Sequence, residues 1–92
     1  MFYVYVLRCA RDDGLYIGFT ANLKRRLREH SLGLATATAP RVPVSLIYYE
    51  SYIDERDARG REEFLKSGAG RAHLAKQCRH YFAAQPRRTE SA

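Results

Sequence analysis

The chain has 92 residues, 46% hydrophobic and 28% charged, the balance of an ordinary globular domain with room for one modest core. Sixteen Lys and Arg against 10 Asp and Glu give a net charge of +6, and 13 of those cations are arginine, whose fork matches phosphate oxygens two at a time; the charge either serves a nucleic-acid partner or simply keeps a small protein soluble. No run approaches the ~18 apolar residues of a membrane span, and no basic stretch leads into a long apolar one, so the expectation is a cytoplasmic protein with no membrane contact.

Residues 2–8 (Phe-Tyr-Val-Tyr-Val-Leu-Arg) are β-branched, aromatic and aliphatic, the composition of a strand. Arg11-Asp12-Asp13-Gly14 is a turn signal, because Asp-Gly supplies the positive φ of a tight hairpin, and Leu15-Tyr16-Ile17-Gly18-Phe19 is the returning strand. A helix follows over 22–31, with Leu23 and Leu27 on one face and Thr20 or Asn22 as its cap. Residues 32–41 mix Gly, Thr, Ala and Pro without period and read as a loop. Residues 42–50 form a third strand, whose start Pro43 confines to an edge or a non-donating position. Asp54 caps a second helix that runs to about Ser67 and ends at Gly68. A third helix spans residues 70–82, with Leu74, Cys78 and Tyr81 at helical spacing. Residues 83–92 form a polar tail expected to be disordered. The order β-β-α-β-α-α gives one α+β domain over residues 1–82, a small three-stranded antiparallel sheet flanked by helices. Cys9 and Cys78 lack metal-ligand spacing and are expected to be reduced, small apolar residues.

Certain residues sit oddly for a core. Tyr5 and Tyr16 lie eleven positions apart, each within a β-like run, and Arg26 follows ten positions after Tyr16 on the first helix. Arg26 and His30 fall at i+3 and i+7 from Leu23, beside the buried stripe. On the second helix Glu62 stands at i+4 from Ala58 and i−3 from Leu65, on or near the inward face. A carboxylate and a guanidinium at such positions are costly unless paired or used, so Arg26 and Glu62 either form an internal ion pair or serve chemistry. The tyrosines likewise serve either as cross-strand packing or as phenols in a site.

The ordered set resembles the GIY-YIG nuclease family over roughly residues 2–80. Tyr3-Val4-Tyr5 stands for the first signature, with Tyr3 in place of its glycine, and Tyr16-Ile17-Gly18 is the second signature intact. The run from Thr20 to His30 matches the family's Thr-x-Asn-Leu-x-x-Arg-Leu-x-x-His segment, and Glu62-Glu63-Phe64-Leu65-Lys66 matches Glu-x-x-Leu-Lys, which selects Glu62 over Glu63. The resemblance implies a divalent-metal-dependent endonuclease that hydrolyses DNA one strand per site, with Glu62 holding one Mg²⁺ or Mn²⁺ against the scissile phosphate. A tyrosine activates the attacking water, Tyr16 as first choice and Tyr5 as second, while the other orients the water or holds a phosphate oxygen. Arg26 contacts the pentacovalent phosphate, and His30 supports Arg26, touches phosphate or relays a proton.

Phe19 stands where some repair-type relatives carry lysine, so a second cation is missing. No recognition domain is expected beside this one, so binding is expected to be weak, salt-sensitive and directed by DNA structure or damage, as in repair, rather than by sequence. Arg25, Arg28, Arg41, Lys66, Arg71 and Lys76 are candidate phosphate contacts or plain surface charge. Thr36 and Thr38 could bond phosphate, Glu50 reads as structural, and His73 and His80 read as surface residues. DNA is the first expectation and RNA stays open, as does a monomer or weak dimer. The alternatives are a catalytically silent nucleic-acid-binding module, or a nuclease subunit whose protein partner supplies specificity.

Overall fold

A computed structural model describes residues 1–88. The hairpin forms as its composition dictates: β1 (Phe2–Cys9) and β2 (Leu15–Thr20) pair antiparallel around the Asp-Gly turn, and β3 (Val44–Tyr52) pairs with the other edge of β1, giving the order β2-β1-β3. The turn takes its positive φ at Asp13 (φ 56°), while Asp12 accepts from the Gly14 N–H at 2.8 Å. β3 extends two residues beyond the expected Glu50 because it pairs with β1 along its whole length, from Cys9 opposite Val44 to Phe2 opposite Tyr52. An irregularity there leaves Ile47 as an extra residue on β3.

Alternation divides the sheet into two faces. Val4 and Val6 of β1 and Leu15 and Ile17 of β2 point to one face and form the core with Ala58, Leu65 and Leu74. Ala58 and Leu65 belong to α2 (Glu55–Lys66) and Leu74 to α3 (Gly68–Gln77). Tyr5, Leu7 and Cys9 point to the other face, which α1 (Leu23–Ser31) covers together with the segment that follows it. That segment contains a single 3-10 turn, Ala39–Arg41.

The last helices differ from expectation. Gly68 does not end α2; it begins α3, and Ser67 separates the two. Ser67 adopts extended backbone angles, and its hydroxyl accepts from the Gly70 N–H at 3.1 Å, so one residue stops one helix and caps the next. Gly70 is required at this corner, since a Cβ there would lie 1.8 Å from the Phe64 carbonyl oxygen. The expected single helix over 70–82 is broken at Cys78, which leaves α3 and a short α4 (Arg79–Ala84). The break lets Cys78 and Phe82 pack on the core while Tyr81 turns toward Arg8.

The expected tail from residue 83 is also different where it is described. Ala83 and Ala84 complete α4, and the Gln85 and Pro86 carbonyls accept from Arg8. The Arg88 N–H donates to Asp13 at 2.6 Å. Arg8 is the reason, because its guanidinium also pairs with Asp13 at 2.7 Å and so ties the hairpin turn to the C-terminal segment. Residues 89–92 of that expected tail lie outside the described residues.

A polar cluster joins β3 to the helices. Glu50 accepts from the Tyr48 and Tyr52 hydroxyls and from both forks of Arg61, and Arg61 in turn donates to His73 Nε2 at 2.8 Å. Glu50 is therefore structural, as its position suggested. His73 is half-buried against Phe64 rather than a plain surface residue, and His80 is exposed. Both cysteines are free. Among the described residues no helix is long and apolar enough to cross a membrane.

Candidate active site

The register of the hairpin brings the two signature tyrosines together. Tyr5 lies opposite Gly18 and Leu7 opposite Tyr16, so both phenols rise from the α1 face. The Tyr5 ring crosses Gly18 so closely that a Cβ at that glycine would sit 2.4 Å from both the Tyr5 Cζ and its hydroxyl oxygen, and 2.9 Å from a Tyr16 ring carbon. The glycine of Tyr16-Ile17-Gly18 is thus the space into which the first tyrosine folds. The ring centroids of Tyr5 and Tyr16 are 6.2 Å apart.

α1 brings the next two groups. The Asn22 side chain accepts from the Arg25 N–H at 3.1 Å and starts the helix, while the Thr20 hydroxyl accepts from the Asn22 N–H. This start directs Arg26 and His30, four residues apart, at the sheet. His30 is fully buried between the tyrosines, its ring 5.6 Å from Tyr5 and 5.3 Å from Tyr16 by centroid. The Tyr5 hydroxyl hydrogen-bonds His30 Nε2 at 2.8 Å, and His30 Nδ1 hydrogen-bonds the Thr38 hydroxyl at 2.6 Å. Tyr5, His30 and Thr38 each show 0% exposure, so an unbroken polar chain runs through the interior of this face.

The electrostatics follow from this burial. Desolvation pushes the Tyr5 phenol up to about 12; the charges of Tyr16 and Glu62 add to that rise, and the neighbouring Arg26 opposes it. Burial holds the His30 imidazole below its ordinary range, and Arg26 adds to the effect, so the ring is neutral at pH 7. Arg26 is held firmly charged, first by its 3.0 Å pair with Glu29 and also by the two phenols. Tyr16 is only half-buried, whereas Tyr5 is enclosed.

Glu62 approaches from α2. Its side chain is 19% exposed, pairs with Lys66 at 3.1 Å, and lies near enough to act on the Tyr5 phenol. Glu63 points to solvent. Of the two readings of Arg26 and Glu62, the mutual ion pair is not the one formed: each pairs locally within its own helix, Arg26 with Glu29 and Glu62 with Lys66. Local partners three or four residues away meet at less entropic cost than partners on different helices. Among the described residues no three His, Cys, Asp or Glu cluster as a metal cage. A single partly exposed carboxylate fits a hard cation that keeps most of its waters, as Mg²⁺ does, and does not fit a structural zinc site.

The candidate phosphate contacts separate into groups. Arg25 and Arg28 are exposed on α1 and, with Lys24 and Asn22, border one surface groove. A neighbouring groove of about 420 Å³ is lined by Lys24, Leu27, Tyr3 and Tyr49, and its Tyr3 and Tyr49 rings are 6.3 Å apart. Lys66 is joined to Glu62. Arg41 is tied at 2.8 Å to Asp12 beside the hairpin turn. Arg71 and Lys76 are exposed on α3, a different element from the α1 cations.

Thr38, expected as a candidate phosphate contact, is instead fully buried and bonded to His30; Gly18 was named only as part of the second signature, and Glu29 was passed over. Thr38 arrives from an aperiodic segment that gives no facing signal. Glu29, three residues after Arg26, was legible as a helical neighbour.

The fold and these residues define a class of catalytic domain. Residues 1–76 match the family described as the GIY-YIG catalytic domain. The chain belongs to the GIY-YIG family of nuclease domains. It is 43% identical over 67 residues to a UPF0213 protein of Clostridium perfringens, covering 72% of this chain and 71% of the relative. It is 50% identical over 66 residues to a UPF0213 protein of Pediococcus pentosaceus, covering 71% and 68%. The solution NMR structure of a UPF0213 protein from Bacillus halodurans superimposes with a TM-score of 0.54 at 30% identity, over 84% of this chain and 85% of the other.

Proposed function

We propose that the domain is a divalent-metal-dependent endonuclease that hydrolyses DNA phosphodiester bonds, one strand per site, guided by DNA structure or damage rather than by sequence. The observation that supports this most is the grouping of a half-buried phenol (Tyr16), a firmly charged guanidinium (Arg26) and a partly exposed carboxylate (Glu62) around a buried Tyr5–His30 pair.

In this reading Tyr16 takes the proton of the attacking water. Tyr5 is unsuited to that task, because it is enclosed and its phenol is pushed up to about 12. Tyr5 instead forms the floor on which Tyr16 and Arg26 rest. Arg26 directs charge-assisted hydrogen bonds at the phosphate as it gains negative charge, and Glu29 holds it in place. His30 acts from behind Tyr5, since full burial keeps it from phosphate. Glu62 would hold the Mg²⁺ or Mn²⁺, which when bound withdraws negative charge from the scissile phosphate. Lys24, Arg25 and Arg28 meet the strand that leads into the site, and their open positions on α1 support sequence-independent phosphate contact.

The test is cleavage of a supercoiled plasmid and a branched DNA in Mg²⁺, Mn²⁺ or EDTA, with Glu62→Ala as control. The expected result is nicking that needs metal and disappears in the folded variant. Salt-sensitive binding without cleavage would replace the proposal with a silent binding module or a subunit awaiting its partner. Equal cleavage by Glu62→Ala would remove the site assignment.

A further inference from the structure

The chain of hydrogen bonds Tyr5–His30–Thr38 contains more hydrogens than links. A neutral imidazole has one N–H and each hydroxyl has one O–H, so three hydrogens serve two contacts, and one hydroxyl hydrogen must point out of the chain. Two arrangements satisfy the count. In the first, Thr38 donates to Nδ1, Nε2–H donates to Tyr5, and the Tyr5 hydrogen points away. In the second, Tyr5 donates to Nε2, Nδ1–H donates to Thr38, and the Thr38 hydrogen points away.

The surroundings of Tyr5 decide between them. The phenol is fully buried, and His30 is its hydrogen-bond partner. Of the two charged groups that act on the hydroxyl, Glu62 acts only through its charge while Arg26 stands within hydrogen-bond reach, and Arg26 has donors only and repels a hydrogen turned toward it. A Tyr5 hydrogen directed away from His30 would be enclosed beside a cation, the costly state for a buried donor. The phenol hydrogen is also held near the plane of its ring. The Thr38 hydroxyl is a free rotor, so its hydrogen is not confined to one plane as the phenol hydrogen is.

We propose that Thr38 is a positioning residue of the nuclease site: by accepting the Nδ1–H of His30 it holds the tautomer in which Tyr5 donates to Nε2 and presents its oxygen lone pairs to Arg26. The consequence for cleavage rests on the nuclease reading above, whereas the tautomer does not. Thr38 lies eight residues beyond His30 and reaches no solvent, so its influence on a phosphate passes through His30, Tyr5 and Arg26 in turn.

The full chain is labelled with ¹⁵N-histidine, and the ring nitrogen shifts are read in wild type, Thr38→Val and Thr38→Ser. Valine keeps the shape and cannot accept, while serine keeps the hydroxyl. Wild type and Thr38→Ser are expected to carry the His30 proton on Nδ1, and Thr38→Val to carry it on Nε2. With a plasmid substrate, Thr38→Val is expected to lower kcat by ~10–100-fold, the range in which partners behind a first layer of ligands act, with KM unchanged and activity restored in Thr38→Ser. A wild-type proton on Nε2, or the same tautomer in wild type and Thr38→Val, would overturn the proposal. So would wild-type kcat in a Thr38→Val protein whose tautomer has changed. An amide spectrum of Thr38→Val that matches wild type away from the site excludes misfolding, and if it does not match, the Thr38→Ser and wild-type spectra still decide the tautomer. Absence of cleavage by wild type would defeat the nuclease reading and the positioning role together, while the spectra would still decide the tautomer.

Discussion

Gly18→Ala isolates the packing that seats the two tyrosines. The added Cβ would meet two Tyr5 atoms at 2.4 Å and a Tyr16 carbon at 2.9 Å, well inside van der Waals contact. Tyr5 cannot swing clear, because its ring is fully buried and its hydroxyl is bonded to His30. Overpacking of this kind costs up to ~3 kcal/mol. Replacing glycine recovers up to ~1 kcal/mol through the unfolded chain, which leaves a net loss of ~2 kcal/mol. In a domain of this size that lowers Tm by roughly 8–16 °C. Gly60→Ala is the matched control. It lies exposed in α2 with nothing within 4 Å of its Cβ, and it should gain ~0.5–1 kcal/mol from helix propensity. The assay is thermal unfolding of both variants, with plasmid nicking measured below the lower midpoint. Gly18→Ala should also cut more slowly, because a displaced Tyr5 shifts Tyr16 and Arg26 with it. A Gly18→Ala protein that melts with wild type and cuts at the wild-type rate would refute the reasoning.

Acid stability should report on the clasp between the hairpin turn and the C-terminal segment. Asp13 is drawn down to about 2, first by its hydrogen bond from Arg8 and then by the Arg88 N–H. A carboxyl whose pKa is lower in the folded state than its unfolded value of ~3.9 contributes stability above that value and loses it as pH falls toward the folded pKa. Between about pH 4 and pH 2, Tm of wild type should therefore fall more steeply than Tm of Asp13→Asn, the two converging near the acid end. Parallel curves across that window would show that the clasp contributes nothing. Binding should distinguish open cations from tied ones. In the Glu62→Ala background in chelator, Arg28→Ala should lower the slope of log K against log salt by about one, and Arg41→Ala should leave it nearly unchanged, because Asp12 already neutralises Arg41. Equal slopes for the two variants would remove α1 as the phosphate contact.

Much of this arrangement was legible because it follows from period. Alternation in β1 and β2 put Tyr5 and Tyr16 on one face once the Asp-Gly turn fixed the register at Tyr5 opposite Gly18. Helical spacing put Arg26 beside His30 and Glu62 on or near the inward face, while the family motif selected Glu62 over the exposed Glu63. What stayed hidden lacks a period. Thr38 lies in an irregular segment, and only the folded chain shows its hydroxyl at His30. The end of the second helix near Ser67 was legible, but the break at Cys78 was hidden because Leu74, Cys78 and Tyr81 keep helical spacing across it. The Arg8 clasp was hidden because its acceptors are the Gln85 and Pro86 carbonyls, which every residue type supplies alike.

The two faces of the sheet impose different demands, and this bears on which variants test the chemistry cleanly. The face under α2 and α3 is stabilised by apolar burial of Val4, Val6, Ile17, Leu65 and Leu74. The face under α1 buries Leu7 and Cys9 but also Tyr5, His30 and Thr38, a polar chain that stabilises only while each member keeps its partner. Removing His30 would strand two buried hydroxyls at ~1–3 kcal/mol each, so a loss of cleavage in such a variant would mix misfolding with chemistry. Arg26 and Glu62 differ in kind. Both are partly exposed and pair within their own helices, with Glu29 and Lys66, so truncating either leaves no enclosed group without a partner. Inactivation at Arg26 or Glu62 therefore reports on the reaction, and inactivation at Tyr5 or His30 reports first on the interior that holds the reaction in place.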